Sequence, residues 1–138
     1  MRLFVVTPHS LDPRFEQKIQ VVSEVGQITG VKVGWAKPTV VQGFAEEMIG
    51  FELLKKSDWV LGDLSFERPS CYFEIGLAQG LNKPVSLIAE NGTPVHQVIG
   101  RRTVEFYSSM KEYKEIVENV LRRFVEDSSH RGRGREDT

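Results

Sequence analysis

The densest set of side chains that could do chemistry lies in Gly62-Asp63-Leu64-Ser65-Phe66-Glu67-Arg68-Pro69-Ser70-Cys71-Tyr72-Phe73-Glu74-Ile75-Gly76-Leu77-Ala78. Asp63 follows the apolar run Trp59-Val60-Leu61 and stands where a strand would end. Pro69 and Ser70 suit a helix start, with proline in the first turn or serine as the cap. Glu74 then lies about one turn inside that helix. A carboxylate near a helix N-terminus is favoured in its charged form, so Glu74 is expected to stay ionised. An ionised carboxylate beside a sugar is what nucleophilic glycoside chemistry requires. The plainer explanation, that Glu74 only complements the helix dipole, stands beside this one, and spacing does not choose between them.

Other residues collect around the same segment. Thr7 and His9 follow the first apolar run and are expected to line the pocket, His9 either as a proton donor or as a solvated loop histidine. Asp63 has three readings: orienting the pocket, binding a sugar hydroxyl, or capping its own turn through Ser65. Tyr72 could stack on a base or simply pack. Cys71 has no basic neighbour in sequence and reads as a small core residue. His96 and His130 have no metal-ligand spacing with anything, and neither a metal nor a cofactor is expected. Gly43 and Gly92 look like turn glycines, and no glycine builds a phosphate-loop or dinucleotide fingerprint.

These residues need elements to hold them. Residues 3–6, 31–35, 59–61 and 84–89 are short apolar runs with turn signals between them, and 103–106 could add a fifth. Helical periodicity separates them. Phe15, Ile19, Val22 and Val25 form one stripe, stopped near Gly26 or Gly30, and Phe44, Met48, Phe51 and Leu54 form another. Residues 72–81 give a third helix, with Gly76 and Ala78 small enough for close approach to the sheet. Tyr113, Ile116, Val117, Val120, Leu121 and Phe124 give the last. Strands apolar on both faces and alternating with helices predict an α/β fold. It is a single doubly wound, flavodoxin-like or Rossmann-like parallel sheet of four to five strands with helices on both faces. The expected order is 2-1-3-4 with the fifth at the edge. Ligands then bind beyond the carboxyl ends of the strands, at residues 7–14, 36–43, 63–74 and 90–93.

Composition sets the limits. The chain has 138 residues, 40% of them hydrophobic, which suits one domain with a real core. Residues 126–138 contain no hydrophobic side chain, so the expected division is a domain over 1–125 and a flexible polar tail over 126–138. Outside that tail fifteen basic residues balance fifteen acids, which argues against a basic nucleic-acid clamp. The Arg-Gly-Arg-Gly-Arg run at 131–135 is short and flanked by acids, and no nucleic-acid partner is expected. No apolar run approaches the roughly 20 residues of a membrane span, and the opening residues are too short for a signal peptide. One cysteine leaves no disulfide framework. The expected setting is cytoplasmic.

The segment also resembles a known family. Asp63-Leu64-Ser65, Pro69, Tyr72-Phe73-Glu74-Ile75-Gly76-Leu77-Ala78 and Asn82-Lys83-Pro84-Val85 look like the core signature of the nucleoside 2-deoxyribosyltransferase-like superfamily. The resemblance covers roughly residues 2–106, weakly including Phe4-Val5-Val6-Thr7-Pro8 and Phe15. It implies a nucleoside or nucleotide N-glycosidic bond hydrolase or (deoxy)ribosyltransferase in which Glu74 is the nucleophile. The implied substrate is a small nucleoside or nucleotide. Relatives complete their pockets from a neighbouring subunit, so a homo-oligomer is expected. Two departures stand out. Arg68 takes the position that in active relatives meets the 5′ end of the sugar. A guanidinium there suits a 5′-phosphate, with Ser70 as a hydroxyl donor, unless Arg68 pairs with Glu67 or another surface acid. Gly50 takes the position of a second acid that handles the leaving base, with Glu46 and Glu47 a turn away. Two alternatives follow: a module that binds a nucleotide without cleaving it, favoured by Gly50, and an NAD hydrolase of the Toll/interleukin-receptor type.

Overall fold

The computed structural model of the chain describes residues 1–36, 44–96 and 103–136. Up to the fourth strand, strands and helices alternate as their apolar patterns predict. β1 (Arg2–Val6) leads to α1 (Phe15–Thr29), β2 (Lys32–Trp35) to α2 (Phe44–Lys56), and β3 (Trp59–Asp63) to α3 (Pro69–Gly80). β4 (Val85–Glu90), β5 (Glu105–Tyr107) and α4 (Met110–Glu136) complete the chain. The five strands form one sheet in the order β2-β1-β3-β4-β5, and every neighbouring pair is parallel.

The period of two along β1 divides the core. Leu3 and Val5 join the cluster that Val22 and Val25 of α1 and Val117, Val120 and Leu121 of α4 cover. Phe4 and Val6 join the opposite cluster, covered by Leu54 of α2 and by Cys71, Ile75 and Ala78 of α3. Successive side chains point to opposite faces, so a strand buried on both must be apolar throughout.

Two glycines shape the packing. Gly30 ends α1 in the left-handed conformation, φ 77°, and its N–H bonds the Gly26 carbonyl. At Gly62 in β3 an added Cβ would meet Ile75 Cδ1 at 2.8 Å. The close approach of α3 therefore rests on Gly62 and on buried Ala78, whereas Gly76, expected to serve it, faces outward.

The carboxyl end of the chain departs from the sequence expectation. α4 continues to Glu136, so the backbone of 126–136 is helical, where composition predicts only a polar tail. Local bonds support it: Arg131 lies 3.7 Å from Asp127, one turn away, and Ser129 Oγ donates to the Val125 carbonyl at 3.1 Å. The last buried core residue is nevertheless Phe124. No described helix is long and apolar enough to cross a membrane.

Candidate functional site

The sheet order reverses between β1 and β3. The chain leaves β1 toward β2 and leaves β3 toward β4, so the loops after β1 and β3 diverge and open a crevice at their carboxyl ends. Thr7, His9 and Arg14 stand in or beside one loop, and Ser65 and Arg68 in the other.

The β3–α3 loop is tightly fixed. Both Asp63 oxygens are occupied: Oδ1 accepts from the Ser65 amide at 3.0 Å and the Ser65 hydroxyl at 2.7 Å, and Oδ2 accepts from Tyr107 at 2.7 Å. Ser65 Oγ in turn accepts the Glu90 amide at 2.8 Å. Asp63 and Ser65 are each 1% exposed. Of the three readings of Asp63, the turn cap is seen in the geometry: both side chains fasten the loop and both are buried. Phe66 and Glu67 follow with φ of 63° and 45°, two consecutive left-handed residues that have a Cβ. Such conformations cost about 1–3 kcal/mol each and persist where neighbours enforce them. Here the Glu67 carboxylate does so. It accepts the Tyr72 hydroxyl at 2.8 Å and the His96 amide at 3.1 Å, and lies 3.0 Å from His96 Nδ1. Burial pushes the Glu67 carboxyl up, but Tyr72 and His96 outweigh it and hold the carboxyl below its usual range. Tyr72 is thus bound to Glu67.

Arg68 is the residue this loop delivers. It caps α3 in an extended conformation, and no side chain caps the helix. Pro69 occupies the first turn, while Ser70 is exposed and does not cap. The alternative partner Glu67 is taken by Tyr72 and His96. The half-buried Arg68 guanidinium has no hydrogen bond or ion pair among the described residues.

Helix geometry then orients Glu74. Ile75 packs under Gly62, and Tyr72 is drawn toward His96 beyond β4. At 100° per residue Glu74 falls on the opposite flank of α3 from Tyr72, beside the buried face. The Cys71 thiol senses its surroundings: burial first, then the Glu74 and Asp63 carboxylates, push it up to about 12, while Arg68 acts in the other direction. Cys71 is buried and inert, as its composition-based reading has it. Glu74 is half-buried, has no partner among the described residues, and is pushed up to about 7 by burial. The expectation of a fully ionised carboxylate is therefore corrected: desolvation outweighs the helix dipole.

Two further polar groups are unsatisfied at the end of β1. Thr7 Oγ1 and His9 Nδ1 are buried with no hydrogen-bond partner among the described residues. His9 bonds the Ala36 backbone, and burial holds its pKa below the ordinary value despite that bond. A neutral ring can accept a hydrogen bond at the free nitrogen. Orphaned buried groups are costly and cluster where a ligand supplies the missing partner. On α2, Gly50 would place a Cβ 3.8 Å from Ala36, so a side chain has room there. Gly43 and the rest of 37–43 lie outside the described residues, as do the side chains of Glu46 and Glu47.

Sequence reasoning missed Lys18. It continues the apolar stripe of α1 backwards from Val22 and Val25 and is 0% exposed. Its Nζ lies 2.5 Å from Asp12, 3.2 Å from Asp63 and 3.7 Å from Glu90. A lysine at a core position was the available signal.

Three cavities of about 470–520 Å³ lie elsewhere. One sits at the amino-terminal ends of the strands around Trp59, Lys83 and Arg131. A second is an apolar groove of Phe51, Phe73, Gly76, Leu77 and Leu81 between α2 and α3. A third lies along β2 at Gly26 and Trp35. Glu74 lines none of the three.

No family model matches the chain, and no curated protein does. Solved structures do. A 2-deoxyribosyltransferase from the psychrotolerant bacterium Bacillus psychrosaccharolyticus aligns at 16% identity over 83% of this chain and 90% of that one, with a TM-score of 0.56. The CMP N-glycosidase BcmB of Clostridium botulinum aligns at 15% identity over 87% of this chain and 99% of that one, with a TM-score of 0.70. The constitutive lysine decarboxylase of E. coli aligns at 11% identity and a TM-score of 0.51, over 91% of this chain but only 17% of that one. At these identities the likeness is one of fold, and the class is a flavodoxin-like α/β sheet. Within that class the chain shares the fold of a deoxyribosyltransferase and an N-glycosidase, which accords with the superfamily its signature at 63–78 resembles.

Proposed function

We propose that residues 1–125 form an N-glycosidic bond hydrolase or (deoxy)ribosyltransferase acting on nucleosides or nucleoside 5′-monophosphates, with Glu74 as nucleophile. One observation carries it: Glu74, early in the helix that follows β3, is desolvated and has no partner among the described residues, with its pKa pushed up to about 7. A folded protein gains nothing in stability from such a carboxylate, and perturbed groups of this kind mark reactive sites. Two of the similar structures are a deoxyribosyltransferase and a CMP N-glycosidase, which supports this chemistry.

In the reaction a Glu74 carboxylate oxygen attacks the anomeric carbon. The bond from that carbon to the base nitrogen breaks, and its electron pair leaves with the base, which takes a proton from water. The ionised carboxylate stabilises the oxocarbenium-like transition state. A second base, or water, then attacks the same carbon and releases Glu74. Arg68 and the uncapped amides of α3 receive the 5′-phosphate. Thr7 and His9 Nδ1 take hydrogen bonds from the substrate, and Ser70 adds a hydroxyl at the rim. Asp63 and Ser65 act by fixing the loop, and Tyr72 by fastening it through Glu67. On this reading the enzyme works as a cytoplasmic homo-oligomer, and the exposed Phe73 and Leu81 of the groove between α2 and α3 support a neighbouring subunit against that groove.

Incubation with pooled nucleosides, nucleoside monophosphates and NAD, followed by chromatography for free base, tests the proposal. Base released by wild type and not by Glu74→Gln is expected; release unaffected by the substitution refutes the assignment. Gly50, a glycine where active relatives have an acid, favours a second reading, a module that binds a nucleotide without cleaving it. Saturable nucleotide binding with no base released identifies that module. Base released from NAD alone identifies the Toll/interleukin-receptor-like alternative.

A further inference from the structure

We propose that Lys18 is the positioning residue of this site, a buried cation that fastens the loop after β1 to the ends of β3 and β4. Its effect on substrate rests on the function proposed above; its effect on the loops does not. The ammonium is fully buried, among the carboxylates of Asp12, Asp63 and Glu90 and over the rings of Tyr107 at 5.1 Å and Tyr113 at 5.8 Å. A leucine or methionine would complete the α1 stripe without any desolvation penalty. Replacing a buried ion pair by apolar residues is often neutral or stabilising, so packing alone does not account for a lysine here.

Each partner belongs to a different segment. Asp12 organises the loop after β1: its Oδ1 accepts the Arg14 amide at 2.8 Å, its carbonyl accepts the Phe15 amide at 3.2 Å, and its Oδ2 meets Lys18. Asp63 caps the turn that leads to Arg68, through the Ser65 amide and hydroxyl. Glu90 ends β4 and is joined to the same turn by its amide bond to Ser65 Oγ. Without the ammonium, buried carboxylates of like sign would face one another across the two walls of the crevice. Lys18 thereby sets the distance between the wall with Thr7 and His9 and the wall with Arg68.

The test compares wild type with Lys18→Met, Asp12→Asn and a control, Val22→Ala. The control removes core packing from the same face of α1 and alters no charge or hydrogen bond of the hub. Native-state hydrogen exchange is read at the amides of Arg14, Ser65 and Glu90, relative to the core amides of Val5 and Leu61. Calorimetry with cytidine 5′-monophosphate is run alongside. The expected result for Lys18→Met is exchange at least ten-fold faster at the three loop amides than the core amides account for. Asp12→Asn should speed Arg14 about three-fold or more, and it decides the matter if Lys18→Met does not fold. Nucleotide affinity should fall about ten-fold in both, whereas Val22→Ala should lower stability and leave affinity alone. Loop amides that follow the core amides in the hub variants, or the same loop pattern in Val22→Ala, overturn the proposal. Failure of the wild type to bind the nucleotide counts against the proposed function, and exchange then judges Lys18 by itself.

Discussion

Replacing Glu74 with glutamine should make the protein more stable and less active, by amounts that follow from the burial of one carboxylate. The rise from the ordinary 4.5 to about 7, at 1.36 kcal/mol per pH unit, corresponds to about 3 kcal/mol of disfavoured charge. At pH 4 the carboxyl is protonated in both the folded and unfolded chain, and the substitution should change little. Between 4.5 and 7 the unfolded chain releases the proton more readily than the folded one, so wild type loses stability as the pH rises. Above pH 7 the whole penalty is present, and the neutral amide avoids it. For a chain of this length roughly 3–5 °C accompanies each kcal/mol, so Glu74→Gln should melt about 8–15 °C higher than wild type at pH 8.5. At pH 4 the two should melt within about 2 °C of each other. Melting both proteins across that pH range by circular dichroism makes the measurement. Activity should meanwhile fall about 100-fold or more, because the amide keeps the shape and lacks the charge. A Glu74→Gln protein no more stable than wild type at pH 8.5 would falsify the claim of a desolvated, unpartnered carboxylate, and with it the observation on which the proposed function rests.

The same carboxylate predicts the pH profile of the reaction. A nucleophile must be ionised, so kcat/KM should rise through a midpoint near 7 and be about ten-fold lower at pH 6 than on the plateau above pH 8. A profile that falls with pH over that range would instead make Glu74 an acid. Arg68→Ala should weaken binding of a nucleoside 5′-monophosphate about ten- to a hundred-fold and leave the parent nucleoside nearly unchanged. Equal losses for the two ligands in calorimetry would end the phosphate reading. Gly62→Ala would force its new Cβ against Ile75 Cδ1, 2.8 Å away, and should cost about 1–3 kcal/mol in urea unfolding. The same change at outward-facing Gly76 should be neutral or slightly stabilising by helix propensity. Equal effects at the two glycines would contradict the close packing of α3 on β3.

Local pattern was enough to define the framework. Apolar runs with turn signals between them specify strands buried on both faces, right-handed crossovers make a doubly wound sheet the simplest topology, and the expected order, with the fifth strand at the edge, is the one observed. The position of Glu74 early in a helix after Asp63 was legible for the same reason, since Pro69 marks that helix start within a few residues. The helical course of 126–136 was not, because composition reports the lack of core contacts and not the backbone conformation.

What tertiary structure decided is the environment of each charge. The dipole argument kept Glu74 ionised because it uses only neighbours in sequence; burial, set by the packing of α3 on Gly62, reverses it. Asp63 reads as a candidate for substrate contact until Lys18, 45 residues before it, and Tyr107, 44 residues after it, occupy one of its oxygens. Arg68 and Glu67 are adjacent in sequence and of opposite charge, yet two left-handed residues turn Glu67 toward His96 and leave the guanidinium without a partner among the described residues. Periodicity is a property of neighbouring residues and survives in a string of letters. Solvation and charge pairing depend on which distant segments the fold brings together, and those meet only in three dimensions.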